Sequence, residues 1–362
     1  MQLARQGSRL AVVDNLVNGK RENIDEALNE RVQLVVADIR DEARMASLMQ
    51  GVDVVFHLAC LGVRHSIHSP RENHEVNAAA TLRLLVAARA AGVGRFVYVS
   101  SSEVYGTALR APMNEEHPTF PMTVYGAAKL AGECYTRAFH RTYAFPTVVV
   151  RPFNTFGPRC HHEGDCGEVI PKFMLRAMAG RPLVVFGDGT QTRDFTFVSD
   201  IARGIIDAGL CDDAVGETIN LGSGIEIAVK DLARDVLEVV GHNECLNPFE
   251  SAGGCAPFPS RDPEGDQSGS LKGAEHPPPK TSELQHAAEI TLAPPRPGDV
   301  LRLCADTAKA SRLLGFKPRV SLREGLRILQ EWYESQGDSA ADLLNHETVR
   351  NWELCPAGAG DG

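Results

Sequence analysis

Five short apolar runs, set apart by stretches with helical spacing, restrict the fold of this chain more than any other feature. Residues 9–14 (RLAVVD), 32–37, 52–58 (VDVVFHL), 95–100 (RFVYVS) and 147–151 are apolar at most positions rather than at alternate ones. A strand with one wet face alternates, whereas a strand covered on both faces need not. Between the runs lie segments such as 77–91 (NAAATLRLLVAARAA), which stops at Gly92, a residue suited to the left-handed turn that ends a helix. Helices alternating with doubly covered strands predict a doubly wound parallel α/β sheet.

The texture changes near residue 151. Loops lengthen, Gly and Pro become frequent, and the alternation turns irregular. We therefore expect a sheet domain over residues 1–150 and a smaller α/β domain mainly over 151–335, with later segments returning to the first. Residues 242–286 are rich in Pro, Gly, Ser and charge (PEGDQSGS, HPPPK). Such a stretch buries too little apolar surface to offset its ordering entropy, so a flexible insertion is expected, with Cys245 and Cys255 incidental to it. The pattern resumes at Ile290, an amphipathic closing helix is expected over 320–333, and residues 336–362 read as a C-terminal tail.

Composition excludes some partners. With a formal net charge of -10 over 362 residues and no cluster of Lys and Arg, the surface repels a phosphate backbone, so nucleic acid is not expected. No run of 18 apolar residues occurs, so no membrane span is expected. The N-terminus has no apolar core before a cleavage site, and the nine Cys are scattered without CxxC pairs. Reduced thiols in a cytoplasmic setting are the expectation.

Chemistry concentrates at Tyr125-Gly-Ala-Ala-Lys129. Positions i and i+4 share one helix face, so a phenol and an ammonium would project into one site. A neighbouring cation favours phenolate, and the expectation is a Tyr pKa drawn down toward neutrality. Alone, this spacing arises by chance. Its context is a run of hydroxyls, Ser100-Ser101-Ser102, followed by Glu103, at the end of a parallel strand, where doubly wound sheets place ligands. Cys160-His161-His162-Glu163-Gly164-Asp165-Cys166 holds six potential ligands, but its spacing fits neither tetrahedral zinc nor a calcium loop, and no metal is expected. His65 and His68 fit a cavity rim or plain solvent equally well.

Strand-end hydroxyls about 25 residues before YxxxK resemble the extended short-chain dehydrogenase/reductase superfamily, and within it the NAD-dependent nucleotide-sugar epimerases, dehydratases and decarboxylases, most of all the UDP-glucose 4-epimerase type. The likeness runs through Asp14-Asn15, Ala37-Asp38-Ile39, His57-Leu58-Ala59, Asn77, Arg151-Pro-Phe-Asn154, Gln191-Thr-Arg193-Asp-Phe195 and Arg296-Pro-Gly-Asp299. It implies that Asp14 holds the adenosine ribose of NAD, its carboxylate rejecting the extra phosphate of NADP, and that Asn15 also binds the cofactor. Asp38 and Ile39 would flank adenine, Leu58, Ala59 and Asn77 would line the cofactor, and Lys129 would hold the nicotinamide ribose. Ser102, Asn154, Arg193, Arg296 and Asp299 would hold a nucleotide-diphosphate sugar, the arginines through paired bonds to phosphate. Tyr125, Lys129, Ser101 and Glu103 would be catalytic. A homodimer packed through helices, including the one carrying Tyr125, is also implied.

One departure stands out. The superfamily pattern places a strand and GxxGxxG about 20 residues before the acid at Asp14, where backbone amides approach the pyrophosphate. Only 13 residues precede Asp14 here, with Gly7 the sole glycine among them. The expectation is a sheet and cofactor cradle lacking that mid-sheet strand, as in a truncated chain. Three outcomes stay open: a 4-epimerase passing through a 4-keto sugar, a UDP-glucuronate decarboxylase or 4,6-dehydratase, and a non-catalytic remnant that binds a nucleotide sugar. Glu103 keeps the second open as an additional acid/base group, while Ser102 stands where dTDP-glucose dehydratases carry Asp.

Overall fold

The computed structural model describes residues 1–241 and 289–353. The expected insertion at 242–286 lies outside the described residues, as do residues 354–362. In chain order the strands are β1 (Leu10–Asp14), β2 (Val32–Val36), β3 (Val54–His57), β4 (Arg95–Val99), β5 (Thr147–Pro152), β6 (Asn154–Phe156), β7 (Leu183–Phe186), β8 (Thr192–Arg193), β9 (Phe195–Phe197), β10 (Thr218–Leu221), β11 (Ile227–Ala228) and β12 (Ile290–Ala293).

The parallel sheet is present, in two pieces. One ladder has the order β10-β5-β4-β3, and a second pairs β1 with β2; among the described residues no ladder links β1 to β3. Burial follows this division. In β4 and β5 every residue is buried except Arg95 and Pro152, whereas β1 has no buried residue and Val36 at the end of β2 is 60% exposed. The pattern expected of doubly covered strands is thus fully met only where both neighbours are in place. β10, from the second half of the chain, pairs with β5 in this sheet.

Helices cover the β3–β10 ladder on both faces. Leu84, Leu85 and Ala88 of the Ala80–Ala90 helix pack with Phe96, Tyr98 and Phe139 on one face, and Ile201, Ile205 and Ala208 of the Val198–Leu210 helix pack with Val97, Val148 and Ile219 on the other. A second core joins β7, β9 and the Val169–Met178, Val229–Val240 and Leu322–Glu334 helices. Its short parallel pairs, β12 with β7 and β6 with β9, sit apart from the main sheet. The closing helix expected at 320–333 is Leu322–Glu334, capped by Ser321. Residues 336–353 differ from the expected tail: they fold back, burying Leu344, Asn351 and Trp352. Among the described residues no helix is long and apolar enough to cross a membrane.

Candidate active site

Two close approaches set the catalytic geometry. β4 ends at Val99 and runs into Ser100-Ser101-Ser102-Glu103; the Ser101 hydroxyl caps the following turn by accepting from the Glu103 amide at 3.2 Å. Thr123 caps the Val124–Tyr143 helix by accepting from the Gly126 amide. A β-carbon on Gly126 would stand 2.7 Å from the Glu103 carbonyl, and one on Gly132 would collide with the Tyr98 ring. Only bare glycine backbone lets this helix lie so near the loop and β4, and that nearness sets Tyr125 beside Ser101.

Tyr125, Ser101, Ser102 and Glu103 line one cavity of about 420 Å³, and Asn154, Arg193, Arg296 and Asp299 line it too. The size suits a small organic ligand, for which about 300–1,000 Å³ is usual. Asp299 ties the two arginines together, its Oδ1 accepting from Arg193 Nη2 at 2.7 Å and Arg296 Nη2 at 2.6 Å. Each guanidinium keeps further N–H donors. Asn154 Oδ1 is buried without a hydrogen-bond partner, an acceptor that a ligand hydroxyl or amide could satisfy. Burial pushes the Glu103 carboxyl up from its ordinary value, while the nearby Arg193 and Arg296 pull it down.

The expectation that Lys129 draws the Tyr125 pKa down is corrected. Burial holds the Tyr125 hydroxyl well above 10, the charge of Cys60 adds to the rise, and the Ser101 hydroxyl opposes it. Lys129 is itself buried, donates to the Val99 carbonyl at 2.9 Å, and lies 6.0 Å from the Tyr125 ring centre. At that distance a charge already engaged by a carbonyl does not offset the loss of water around the phenol.

A second cavity, about 180 Å³, opens at the ends of β1 and β2 and is lined by Asp14, Asn15, Asp38, Ile39 and Ala59; Cys60 lines both cavities. Asp14 accepts from the Leu16 amide at 2.7 Å, and a β-carbon on Gly19 would stand 2.6 Å from its carboxylate. Arg40 grips both oxygens of Asp38, at 2.9 and 2.7 Å, which with the Asn15 amide holds that carboxyl well below the usual range. His65 lines this cavity, and its Nδ1 is buried without a hydrogen-bond partner. A strand-end carboxylate, an apolar Ile39 and one unsatisfied polar atom fit the adenosine end of NAD. No GxxGxxG turn is among the residues available for its pyrophosphate.

Three of the expected cofactor residues line neither cavity: Leu58, Asn77 and the buried Lys129. Leu58 is 51% exposed and lines neither cavity. Asn77 is fully buried and brackets Leu61, accepting from its amide at 2.9 Å and donating to its carbonyl at 2.8 Å. It shapes the loop that carries Ala59 and Cys60 from beneath. Sequence reading also passed over a buried polar chain under the site. Ser100 donates to Glu133 at 2.6 Å, Arg151 binds Glu133 through Nε and Nη2 at 2.8 and 2.6 Å, and Arg151 Nη1 donates to Tyr105. An arginine inside the apolar strand TVVVRP was the available signal, because a buried cation requires a partner. Arg64 was missed as well; it lines the larger cavity and holds the 160–168 loop through the Asp165 carbonyl at 2.8 Å and the Glu168 carboxylate at 2.5 Å.

Two cavities that share Cys60, one at strand-end carboxylates and the other rich in hydroxyls and lined by two arginines beside Tyr125, fit an NAD-dependent enzyme of the extended short-chain dehydrogenase/reductase superfamily that works on nucleotide sugars. The model of the GDP-mannose 4,6 dehydratase family matches residues 2–329, and the chain belongs to that family. It is 31% identical to the UDP-glucose 4-epimerase of Mycolicibacterium smegmatis over 340 residues, 92% of this chain and 94% of the relative. It is 29% identical to UDP-glucuronic acid decarboxylase 2 of Arabidopsis thaliana over 96% of this chain and 69% of that protein. Among solved structures, the epimerase Mth375 of Methanothermobacter thermautotrophicus superposes with a TM-score of 0.75 at 34% identity, covering 92% of this chain and 87% of the other. The UDP-glucose 4-epimerase of Thermotoga maritima, solved with UDP-glucose, gives 0.75 at 28%, covering 92% and 93%.

Proposed function

We propose that this chain is a UDP-sugar 4-epimerase of the glucose or glucuronate type. The observation that carries the reading is the placement of Tyr125, Ser101 and the Asp299-linked arginines around one cavity. Tyr125 takes the proton of the sugar C4 hydroxyl, and Ser101 hydrogen-bonds the same oxygen and fixes its direction. NAD+ bound beside Tyr125 supplies a hydride acceptor and a positive charge that favours phenolate. Lys129, pinned to Val99, holds the nicotinamide ribose, while Asp14, Asn15, Asp38 and Ile39 hold the adenosine end. Arg193 and Arg296 take the diphosphate through the donors that Asp299 leaves free, and Asn154 and Ser102 complete the sugar site. The keto sugar turns within the cavity and is reduced on its other face, with the proton returned by Tyr125.

Glu103 favours a second reading. A half-buried carboxyl with a raised pKa beside the sugar site could move a proton at C5, as a UDP-glucuronate decarboxylase or a 4,6-dehydratase requires. The two readings separate on products. Supplied with UDP-glucose and UDP-glucuronate, a 4-epimerase yields unchanged mass and inverted C4 by NMR, whereas loss of water or carbon dioxide would overturn the epimerase reading.

The reading extends to a cytoplasmic homodimer packed through the Val124–Tyr143 helix and its neighbour. Support comes from Leu82 and Val86, exposed apolar residues on the adjacent Ala80–Ala90 helix. Sedimentation at twice the chain mass is the expected result.

A further inference from the structure

The segment following the closing helix forms one wall of the larger cavity. Glu347 clasps Arg176 of the Val169–Met178 helix through both oxygens, at 2.9 and 2.8 Å, with only 6% of the carboxylate side chain exposed. Lys172, one turn earlier, donates to the Thr348 carbonyl at 2.8 Å. Asn351 is buried, and its amide reaches the carbonyls of Gly164 at 3.2 Å and Gly167 at 3.0 Å, in the loop that Arg64 also holds. Trp352, 9% exposed, meets the Phe186 ring edge-on, with centroids 4.7 Å apart and planes at 80°. Both rings line the cavity, as does Val349, whose side chain is otherwise exposed.

These contacts fix a strap across four independent anchors, and what it presents to the cavity is aromatic. A nucleotide sugar has three parts with different needs. Its sugar hydroxyls suit Tyr125, Ser101 and Asn154, and its diphosphate suits Arg193 and Arg296. Its planar base wants an apolar, aromatic wall, which Phe186 at the end of β7 and Trp352 on the strap provide together. We propose that the strap of residues 344–353 completes the nucleobase subsite and that Trp352 packs against the base. This rests on the nucleotide-sugar reading above, and it assigns to the C-terminal segment a part in ligand affinity rather than in the chemistry.

The chain has two tryptophans, Trp332 and Trp352, so Trp332→Phe leaves Trp352 as the sole indole reporter. UDP is the probe, followed in parallel by calorimetry and by emission. Binding by calorimetry together with a change in Trp352 emission is the expected result. Trp352→Ala should then weaken UDP about tenfold, as base–aromatic contacts commonly do, and raise KM for the UDP-sugar with kcat kept within about twofold. UDP binding with unaltered emission and an unaltered affinity in Trp352→Ala would overturn the strap proposal and leave the proposed function standing. Absence of any UDP binding to the full chain would overturn both. If Trp352→Ala fails to fold, the emission arm still decides.

Discussion

Lys129 donates its ammonium to the carbonyl of Val99 at 2.9 Å, which pins it to the end of β4 beneath the cavity. It is therefore a fixed charge under the floor of the site. Loss of water around the neighbouring Tyr125 phenol favours its protonated form, so the proposed mechanism calls on the positive charge of bound NAD+ to favour phenolate. On this account turnover depends on Tyr125 more steeply than binding does.

Tyr125→Phe removes the proton acceptor and leaves the ring. We expect kcat to fall by about 10²–10⁴-fold, the usual range for a positioned general base, with UDP affinity unchanged by calorimetry. Activity within threefold of the parent would refute the assignment.

Asp299→Ala unlinks Arg193 from Arg296, which then lose the carboxylate that aims them. The expected outcome is a KM for UDP-sugar raised about tenfold or more, because misdirected guanidinium forks lose their paired phosphate bonds. A matching fall in kcat alone would show instead that the cluster acts on the reacting carbons.

Glu133 and Arg151 form a pair in which both side chains are almost wholly excluded from water. Glu133→Gln leaves the Arg151 charge buried with no counter-ion, and a loss of about 3–5 kcal/mol in urea unfolding is expected. The Ser100 hydroxyl loses its carboxylate acceptor in the same variant, so residual activity should drop along with stability.

His57 is buried against Thr81 at 2.9 Å, and burial, with the Lys129 charge second, pushes its pKa down to about 3. The unfolded chain takes up this proton near pH 6.5, and the folded chain only near 3. Between those values the unfolded state binds more protons, so the contribution of His57 is present above pH 6.5 and is lost as pH falls toward 3. His57→Gln should therefore flatten the decline in unfolding free energy between pH 7 and 5. An unchanged slope would show that His57 does not take part.

Much of this was legible in the chain itself, for reasons that differ by residue. β4 and β5 were readable because continuous Val and aromatic runs leave few alternatives to a strand covered on both faces. Tyr125 and Ser101 were readable because one sits on a helix face and the other at a strand end, both local facts. The Tyr125 pKa was not, since it depends on how much water the folded cavity excludes. Leu58 and Asn77 follow the right strand and start the right helix, but spacing does not reveal that one side chain turns outward and the other beneath the loop. The strap was invisible for a different reason. Glu347 to Trp352 has no period of its own, and its anchors at Arg176, Lys172 and Gly167 are far away in sequence.

In the proposed reaction the sugar is oxidised at C4 and reduced again at the same carbon by the same hydride. Turnover of a UDP-sugar in D2O, followed by mass spectrometry and proton NMR of the product, tests this directly. The expected product has an inverted C4 and no deuterium on any carbon. Deuterium at C5 or C6, with loss of carbon dioxide or water, would contradict it and assign proton chemistry at C5 to Glu103.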